Sequence, residues 1–548
     1  RNDIYIIFFA LVWILGAFRY ADTGKLRWIY LMISSMAFSF ITKEVSFITG
    51  AIIGSFFLTT ALWRICKGEN FRTSPLADIS ILMLTAVLPF ASPFIQLLAG
   101  RDVMAYQTSQ GRIESVILIG AMTLFSAVIA FAWFGLRKDS AEVGERPYLG
   151  FMHWVVFMLL FWSIQCLFFS TFFVNPKGML SGITGSLGYW LNQQGVARGG
   201  QPFYYYPLLV SLYEFLPAIL AIGSVATRVK KDTFHKFLFW WTIAAWILYT
   251  WAGEKMPWLA VHLVVPMCLL GARWLGNVIQ EIRWGNAYKQ KAIWMIPALS
   301  VFVIIVLGLF HAPPLQERDL VSLRRSMNWI RDFTCGIALF CYIAWCRQKT
   351  GWRMWRQLAG LGLVALLFVY TVTVSLHLSF KNFDLATEFM VYAHGTPDIK
   401  KAIQEIESIS MRTVGGKDIA VAYDDETSWP FTWYLRNYPN QIYYGDTPWP
   451  EALKAPIILV GPKNYDKVRP HVSKVYVTRS YIQIWWPHHV KTSWKKIRET
   501  LLDLNQWYRL RQVLLIREYS GDDLRKWPHR REFEMYVRGS PLISNKLR

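Results

Sequence analysis

A carboxylate and an ammonium side by side can take up a proton and hold an anion. This sequence places such pairs repeatedly at the edges of apolar runs. Glu254-Lys255 follows one run, in the stretch Gly253-Glu254-Lys255-Met256-Pro257-Trp258, with Pro257 in the first-turn position of the next helix. Lys255 suits a phosphate, and Glu254 suits the counter-charge that orients it. The bland alternative is an exposed charge pair capping a hairpin. Trp258 and His262 lie four apart on one helical face, with His262 either a site residue or a packing histidine. Thr42-Lys43-Glu44 repeats the pattern between two other runs, where helix-end snorkelling is the alternative. Asp3, just before the first run, could act as a general base, as a metal ligand or as the counter-ion beside a phosphate.

Two further features sit on the same side. Gln201-Pro202-Phe203-Tyr204-Tyr205-Tyr206-Pro207 opens a run, and its rings could pack a lipid tail or a sugar face, or form an ordinary interfacial belt. Tyr204 and Tyr205 are the substrate-binding candidates. Glu214 lies ten residues beyond Tyr204, about 15 Å along a continuous helix at about 1.5 Å per residue. That is near mid-bilayer, where an ionised carboxylate costs at least about 2.5 kcal/mol. Glu214 is then either the floor of a polar cavity or a hydrogen-bonding partner for a neighbouring span. Arg1 and Arg198 join Lys43 and Lys255 as cations for a donor phosphate.

The elements that must position these residues follow from composition. Of 548 residues, 54% are hydrophobic and only 17% charged, with 27 Trp, 26 Tyr and 36 Phe. Soluble chains carry about 25% charged residues, so a disordered chain is excluded and the composition argues against an ordinary cytosolic enzyme. Runs long enough to cross a bilayer fall at roughly 4–18, 27–41, 45–63, 79–99, 114–136, 151–174, 204–227, 237–252, 257–276, 292–310, 329–346 and 357–379, about twelve spans. Alternate loops are rich in Lys and Arg, beginning with Arg19, Lys25, Arg27 and then Arg64, Lys67, Arg72. Read as cytoplasmic, these loops absorb much of the net charge of +22 and leave no case for nucleic acid. Asp3, Lys43–Glu44, the glycine-studded loop 175–203 and Glu254–Lys255 then face the outside.

Residues 1–380 thus form a multi-span unit, and 381–548 a small α/β domain outside the membrane. In the latter, Ile419–Ala422, Ile442–Tyr444, Ile457–Val460 and Val472–Val477 predict strands, and Thr427–Tyr438 and Ile497–Leu510 predict helices. There is no nucleotide-binding glycine motif and no H-E-x-x-H. No cofactor is indicated. A divalent metal stays open, although no ligand cluster stands out.

Taken together, these residues resemble the flippase-activity-associated protein family. The match rests on Gln201 to Pro207 with Tyr213-Glu214, on Gly253 to Leu259, on Arg1-Asn2-Asp3 and Thr42-Lys43-Glu44, on Trp429-Pro430-Phe431-Thr432-Trp433-Tyr434-Leu435-Arg436 and on Tyr536-Val537-Arg538. That family is similar to dolichyl-phosphate-mannose-type protein mannosyltransferases and lipid A aminoarabinose transferases, all of the GT-C superfamily. The resemblance implies a GT-C-like glycosyltransferase in the cell membrane with an extracytoplasmic site. Its donor is a polyprenyl-phosphate-linked sugar, and its acceptor a glycan, lipid or protein. The resemblance also implies that further spans precede Arg1 and carry the main catalytic acid. Asp3 is then a supporting acid, and Glu44 and Glu254 are the other candidate bases. Trp429, Trp433 and Tyr434 could stack on sugar or pack inward. A non-catalytic protein that binds lipid-linked sugars or assists their flipping is the alternative, and an ion-coupled carrier using Glu214 is a third reading.

Overall fold

The computed structural model describes residues 2–68, 74–136, 149–196, 201–226, 232–311, 319–472, 475–485 and 529–539, with a few isolated positions between 498 and 512. The chain divides into two compact units, Arg1–Val372 and Thr373–Arg548.

In the first unit, α1 (Asp3–Thr23) and α2 (Leu26–Thr42) form a hairpin. α1 stops at Gly24, whose φ of 68° lets its N–H return to the Tyr20 carbonyl. A Cβ on Gly16 would stand 2.8 Å from the Trp28 carbonyl, so the two backbones touch there. Next come α3 (Ser46–Cys66), α4 (Pro75–Val87), α5 (Ser92–Leu98), α6 (Ser109–Ala130) and α7 (Phe151–Phe169). After them come α8 (Lys177–Leu180), α9 (Ser186–Val196), α10 (Tyr205–Tyr213), α11 (Phe215–Ala226) and α12 (Thr233–Trp251). The unit continues with α13 (Ala260–Glu281), α14 (Trp284–Lys289), α15 (Met295–His311) and α16 (Leu320–Leu376). Phe18 of α1 meets Phe57 of α3 and Phe237 of α12, at ring separations of 5.3 and 5.2 Å. On the other side of α1, Ile4, Phe8 and Leu15 are exposed, as helices bathed in lipid require.

Among the described residues, eight helices are long and apolar enough to cross a membrane, or nine if one bent pair counts as a span. These are the helices of a membrane protein. The sequence-based count of twelve differs for identifiable reasons. α2 is apolar but has only 17 residues. α12 is rich in Trp and contains Lys236, which lowers its hydropathy. The runs 329–346 and 357–379 lie in one 57-residue helix, α16, interrupted at Gly351 (φ 75°, ψ 164°).

The second unit is built on one sheet in the order β1-β5-β6-β4-β2-β3, from β1 (His394–Gly395), β2 (Val421–Asp424), β3 (Gln441–Gly445), β4 (Ile457–Val460), β5 (Tyr476–Trp485) and β6 (Arg530–Arg538). β2 runs parallel to both β3 and β4, while β6 is antiparallel to β4 and β5. Side chains alternate between the two faces. Val421, Tyr423, Ile457 and Leu459 pack with α17 (Pro397–Thr413) and α18 (Asp425–Tyr434). Ala422, Ile458 and Val460 pack with α19 (Pro450–Leu453) and α20 (Tyr465–Val472). The strand expected at 472–477 begins only at Tyr476, because Val472 closes α20. The helix expected at 497–510 lies largely outside the described residues.

Candidate functional site

Three helix ends converge on Asp3. It is the first residue of α1, where a carboxylate suits the helix dipole, yet it is only 3% exposed. Lys43, just past the end of α2, reaches it with Nζ 3.0 Å from Oδ1 and 3.3 Å from Oδ2. His262, in the first turn of α13, lies with Nε2 3.4 Å from Oδ1, a contact that assigns the ring proton to Nε2. The imidazole stacks on Tyr249 of α12, centroids 5.2 Å apart and planes at 11°. Asp3 and His262 are buried, while the Lys43 side chain remains 22% exposed. The carboxylate therefore anchors an ammonium at the rim of the bundle, where it can meet an anion.

The Glu254–Lys255 turn is held beside this cluster. Tyr206, fully buried, accepts from the Met256 N–H at 3.2 Å. Both Glu254 and Asp3 lie within electrostatic reach of its hydroxyl. The Gly253 N–H donates to Gln194 Oε1 at 2.8 Å, which ties the turn to α9. Lys255 is buried and donates from Nζ to the Ala252 carbonyl at 2.8 Å. Burial holds its ammonium below the usual lysine range. The expected Glu254–Lys255 charge pair is absent. Among the described residues neither Glu254 nor Glu44 has an ion-pair partner, so both carboxylates remain available to take a proton.

A Cβ on Gly253 would stand 2.7 Å from the backbone carbonyl of Gln194, which cannot swing aside. Gly253→Ala should therefore lower stability by about 1–3 kcal/mol and displace the turn. Gly276→Ala, with nothing near the added methyl, should not. Thermal unfolding of the two purified variants tests this, and equal melting points would refute the packing argument.

The other expected residues divide. Tyr204 is half-buried against Phe203, and Tyr205 is buried against Tyr206. Trp258 sits in a separate turn of 3-10 helix, Pro257–Leu259, so only His262 of that pair belongs to α13. Arg1 and Arg198 lie outside the described residues. The loop expected at 175–203 is largely helical, as α8, a π-turn (Ser181–Gly185) and α9. Among its described glycines, Gly182, Gly185 and Gly188 serve close packing, a Cβ on Gly188 meeting the Val103 carbonyl at 2.9 Å, whereas Gly195 has open space around it. Glu214 is not on a continuous helix. α10 and α11 meet there at 101°, so the 15 Å depth estimate does not apply. Pro217 explains the break, since it offers no N–H to the Tyr213 carbonyl and clashes with it. Glu214 lies within electrostatic reach of Cys268, which lines an apolar cleft of about 480 Å³ with Leu216, Leu220, Leu275, Val364 and Phe368.

Tyr206, Tyr249 and Gln194 are the site residues that sequence reasoning misses; only Tyr206 carried a signal, inside its aromatic run. In the second unit Trp429 and Trp433 are exposed, at 53% and 66%, while Tyr434 packs on the core. Arg436 covers the Trp433 ring at 4.0 Å. Among the described residues no group of three His, Cys, Asp or Glu could hold a metal ion. No family model, curated protein or solved structure matches this chain.

Proposed function

We propose that this chain is an integral-membrane glycosyltransferase of GT-C type that moves a sugar from a polyprenyl-phosphate donor to an acceptor on the extracytoplasmic side. The observation that carries this reading is the convergence of a buried Asp3–Lys43–His262 cluster with the Glu254–Lys255 turn at one end of the bundle. Counting α2, α12, the bent pair and both arms of α16 as spans brings this chain to the twelve that its sequence suggests.

The chemistry is direct displacement. An acceptor hydroxyl attacks the anomeric carbon, the bond from that carbon to the phosphate oxygen breaks, and the lipid phosphate leaves with the electron pair. The hydroxyl proton passes to a carboxylate, with Glu254 and Glu44 the uncommitted candidates here. Lys43 and Lys255 offset the charge growing on the phosphate. Asp3 is already engaged by Lys43 and His262, so its role is to position Lys43. The apolar cleft beside Glu214 suits a polyprenyl tail. The engagement of Asp3 also favours a second reading, in which the site binds lipid-linked sugar without turning it over.

The test supplies a polyprenyl-phosphate sugar and an acceptor mixture to the full-length protein in detergent. Free polyprenyl phosphate should appear, and fall at least about 100-fold when Glu254 and Lys255 become alanine. Donor binding with no release of polyprenyl phosphate refutes the transferase and leaves the binding protein.

A further inference from the structure

The opposite end of the bundle carries a second, unrelated cleft. Arg64 lies 18 residues along α3 from Ser46, about 27 Å at about 1.5 Å per residue, close to the roughly 30 Å of a hydrocarbon core. α12 runs back beside it, from Thr233 at this end to Trp251 near the Lys255 turn. Between the two helices is a cleft of about 310 Å³.

Its lining is graded along the membrane normal. Phe56 of α3 and Phe239 and Trp240 of α12 form the deeper wall. The Trp240 indole N–H is spent on the Ile52 carbonyl at 3.2 Å and Ser55 Oγ at 3.3 Å, so the ring offers the cleft an apolar face. One turn nearer the end come the hydroxyls of Thr59 and Thr60, and then Arg64 and Lys236. Lys236 Nζ and Lys67 Nζ both lie over the Trp63 ring, at 5.6 and 4.3 Å. Among the described residues neither lysine has a carboxylate partner. The acid nearest Lys236 in sequence, Asp232, is taken by Arg273.

This is a cationic rim above an aromatic wall, at the level where lipid headgroups lie. We propose that the cleft between α3 and α12 is a binding site for an anionic phospholipid. The phosphate sits between Arg64 and Lys236, the Thr60 hydroxyl donates to one of its oxygens while that of Thr59 is spent on the Ser55 carbonyl at 2.7 Å, and an acyl chain lies along Phe56, Phe239 and Trp240. A guanidinium and an ammonium together suit a phosphodiester oxygen pair. A zwitterionic lipid brings its own ammonium against Lys67 and Lys236 and gains little. The apolar wall makes the occupant a lipid rather than a free phosphate, which would leave that wall bare.

The test uses the purified full chain, delipidated in a neutral detergent and titrated with phosphatidylglycerol, with phosphatidylcholine and with soluble glycerol phosphate, binding being read by native mass spectrometry. Wild type should retain phosphatidylglycerol in preference to phosphatidylcholine. The Arg64→Ala/Lys236→Ala variant should bind it roughly 10–30-fold more weakly, at about fivefold per lost cation near a membrane surface. Lys236→Gln alone, at an exposed position that leaves the packing of α12 untouched, should lose about fivefold. Lys236→Arg should retain the preference. Equal binding of the two phospholipids to wild type, unchanged affinity in Lys236→Gln, or displacement of phosphatidylglycerol by glycerol phosphate alone would each overturn the proposal.

Discussion

Lys43→Ala should be far more damaging than Asp3→Asn, although each removes one half of the same pair. The difference lies in what is left behind. The Asp3 side chain is 4% exposed and that of Lys43 22% exposed. Without Lys43, a buried carboxylate keeps only the imidazole contact at 3.4 Å, and breaking a buried pair this way costs about 3–5 kcal/mol. With asparagine at position 3, no buried charge is stranded. The amide oxygen can still accept from Lys43, and the ammonium can turn toward water, so the loss should be about 1–2 kcal/mol. The melting temperature of each variant, purified in detergent, ranks the two. Equal losses, or a larger loss for Asp3→Asn, would contradict the burial asymmetry. On the proposed transferase reading, donor cleavage should fall in both, since Lys43→Ala removes the cation offered to the phosphate and Asp3→Asn removes that cation's anchor.

This cluster was partly legible in the sequence, and the reasons are instructive. The alternation of basic loops brings the start of α1, the end of α2 and the turn after α12 to one side of a membrane, so Asp3, Lys43 and Glu254–Lys255 could be grouped without any contact being known. The residues that lock them could not. Tyr249 stacking on His262, and Gln194 gripping the backbone of Gly253, are contacts between elements with no local pattern. The break at Glu214 was available, since Pro217 four residues after Tyr213 forbids a continuous helix. The glycines at 182–188 mislead because the same residue serves turns and close helix packing.

The second unit repeats the lesson. α17 has Ile399, Ala402, Ile403 and Ile406 at helical spacing behind an N-cap threonine, a pattern plain in the sequence but outside the segments singled out there. β6 is harder to find. Its Phe533, Met535 and Val537 pack on one face and Tyr536 on the other, so both faces are covered, and Arg530-Arg531-Glu532 conceals the start. Its partner β5 starts at the end of the stretch 472–477 that predicts a strand and runs on well beyond it.

Asp424→Ala should disrupt the second unit more than any surface change there. Asp424 ends β2, and the chain crosses from β2 to β3 on one side and returns to β4 on the other, so two connections meet at its carboxylate. The side chain is fully buried. It accepts from the Thr427 N–H at 2.8 Å, the Thr427 hydroxyl at 2.7 Å, the Gly461 N–H at 2.7 Å and the Asn464 amide at 2.9 Å. Alanine strands the Thr427 and Gly461 N–H groups in a dry site, while the Asn464 amide keeps Asp425 Oδ1 at 2.8 Å. At about 1–3 kcal/mol for each stranded N–H, the total of roughly 2–6 kcal/mol is a large part of a domain's stability of about 5–15 kcal/mol. Asparagine is shaped alike but turns one acceptor into a donor facing donors, so its loss should be intermediate. Limited proteolysis of the full chain reads this directly. Fragments ending within 373–548 should appear readily for Asp424→Ala, less for Asp424→Asn and least for wild type, while the helices of the first unit stay protected. Unchanged resistance in Asp424→Ala would mean that the junction of β2 and β4 is held by the apolar faces of the sheet, not by this carboxylate.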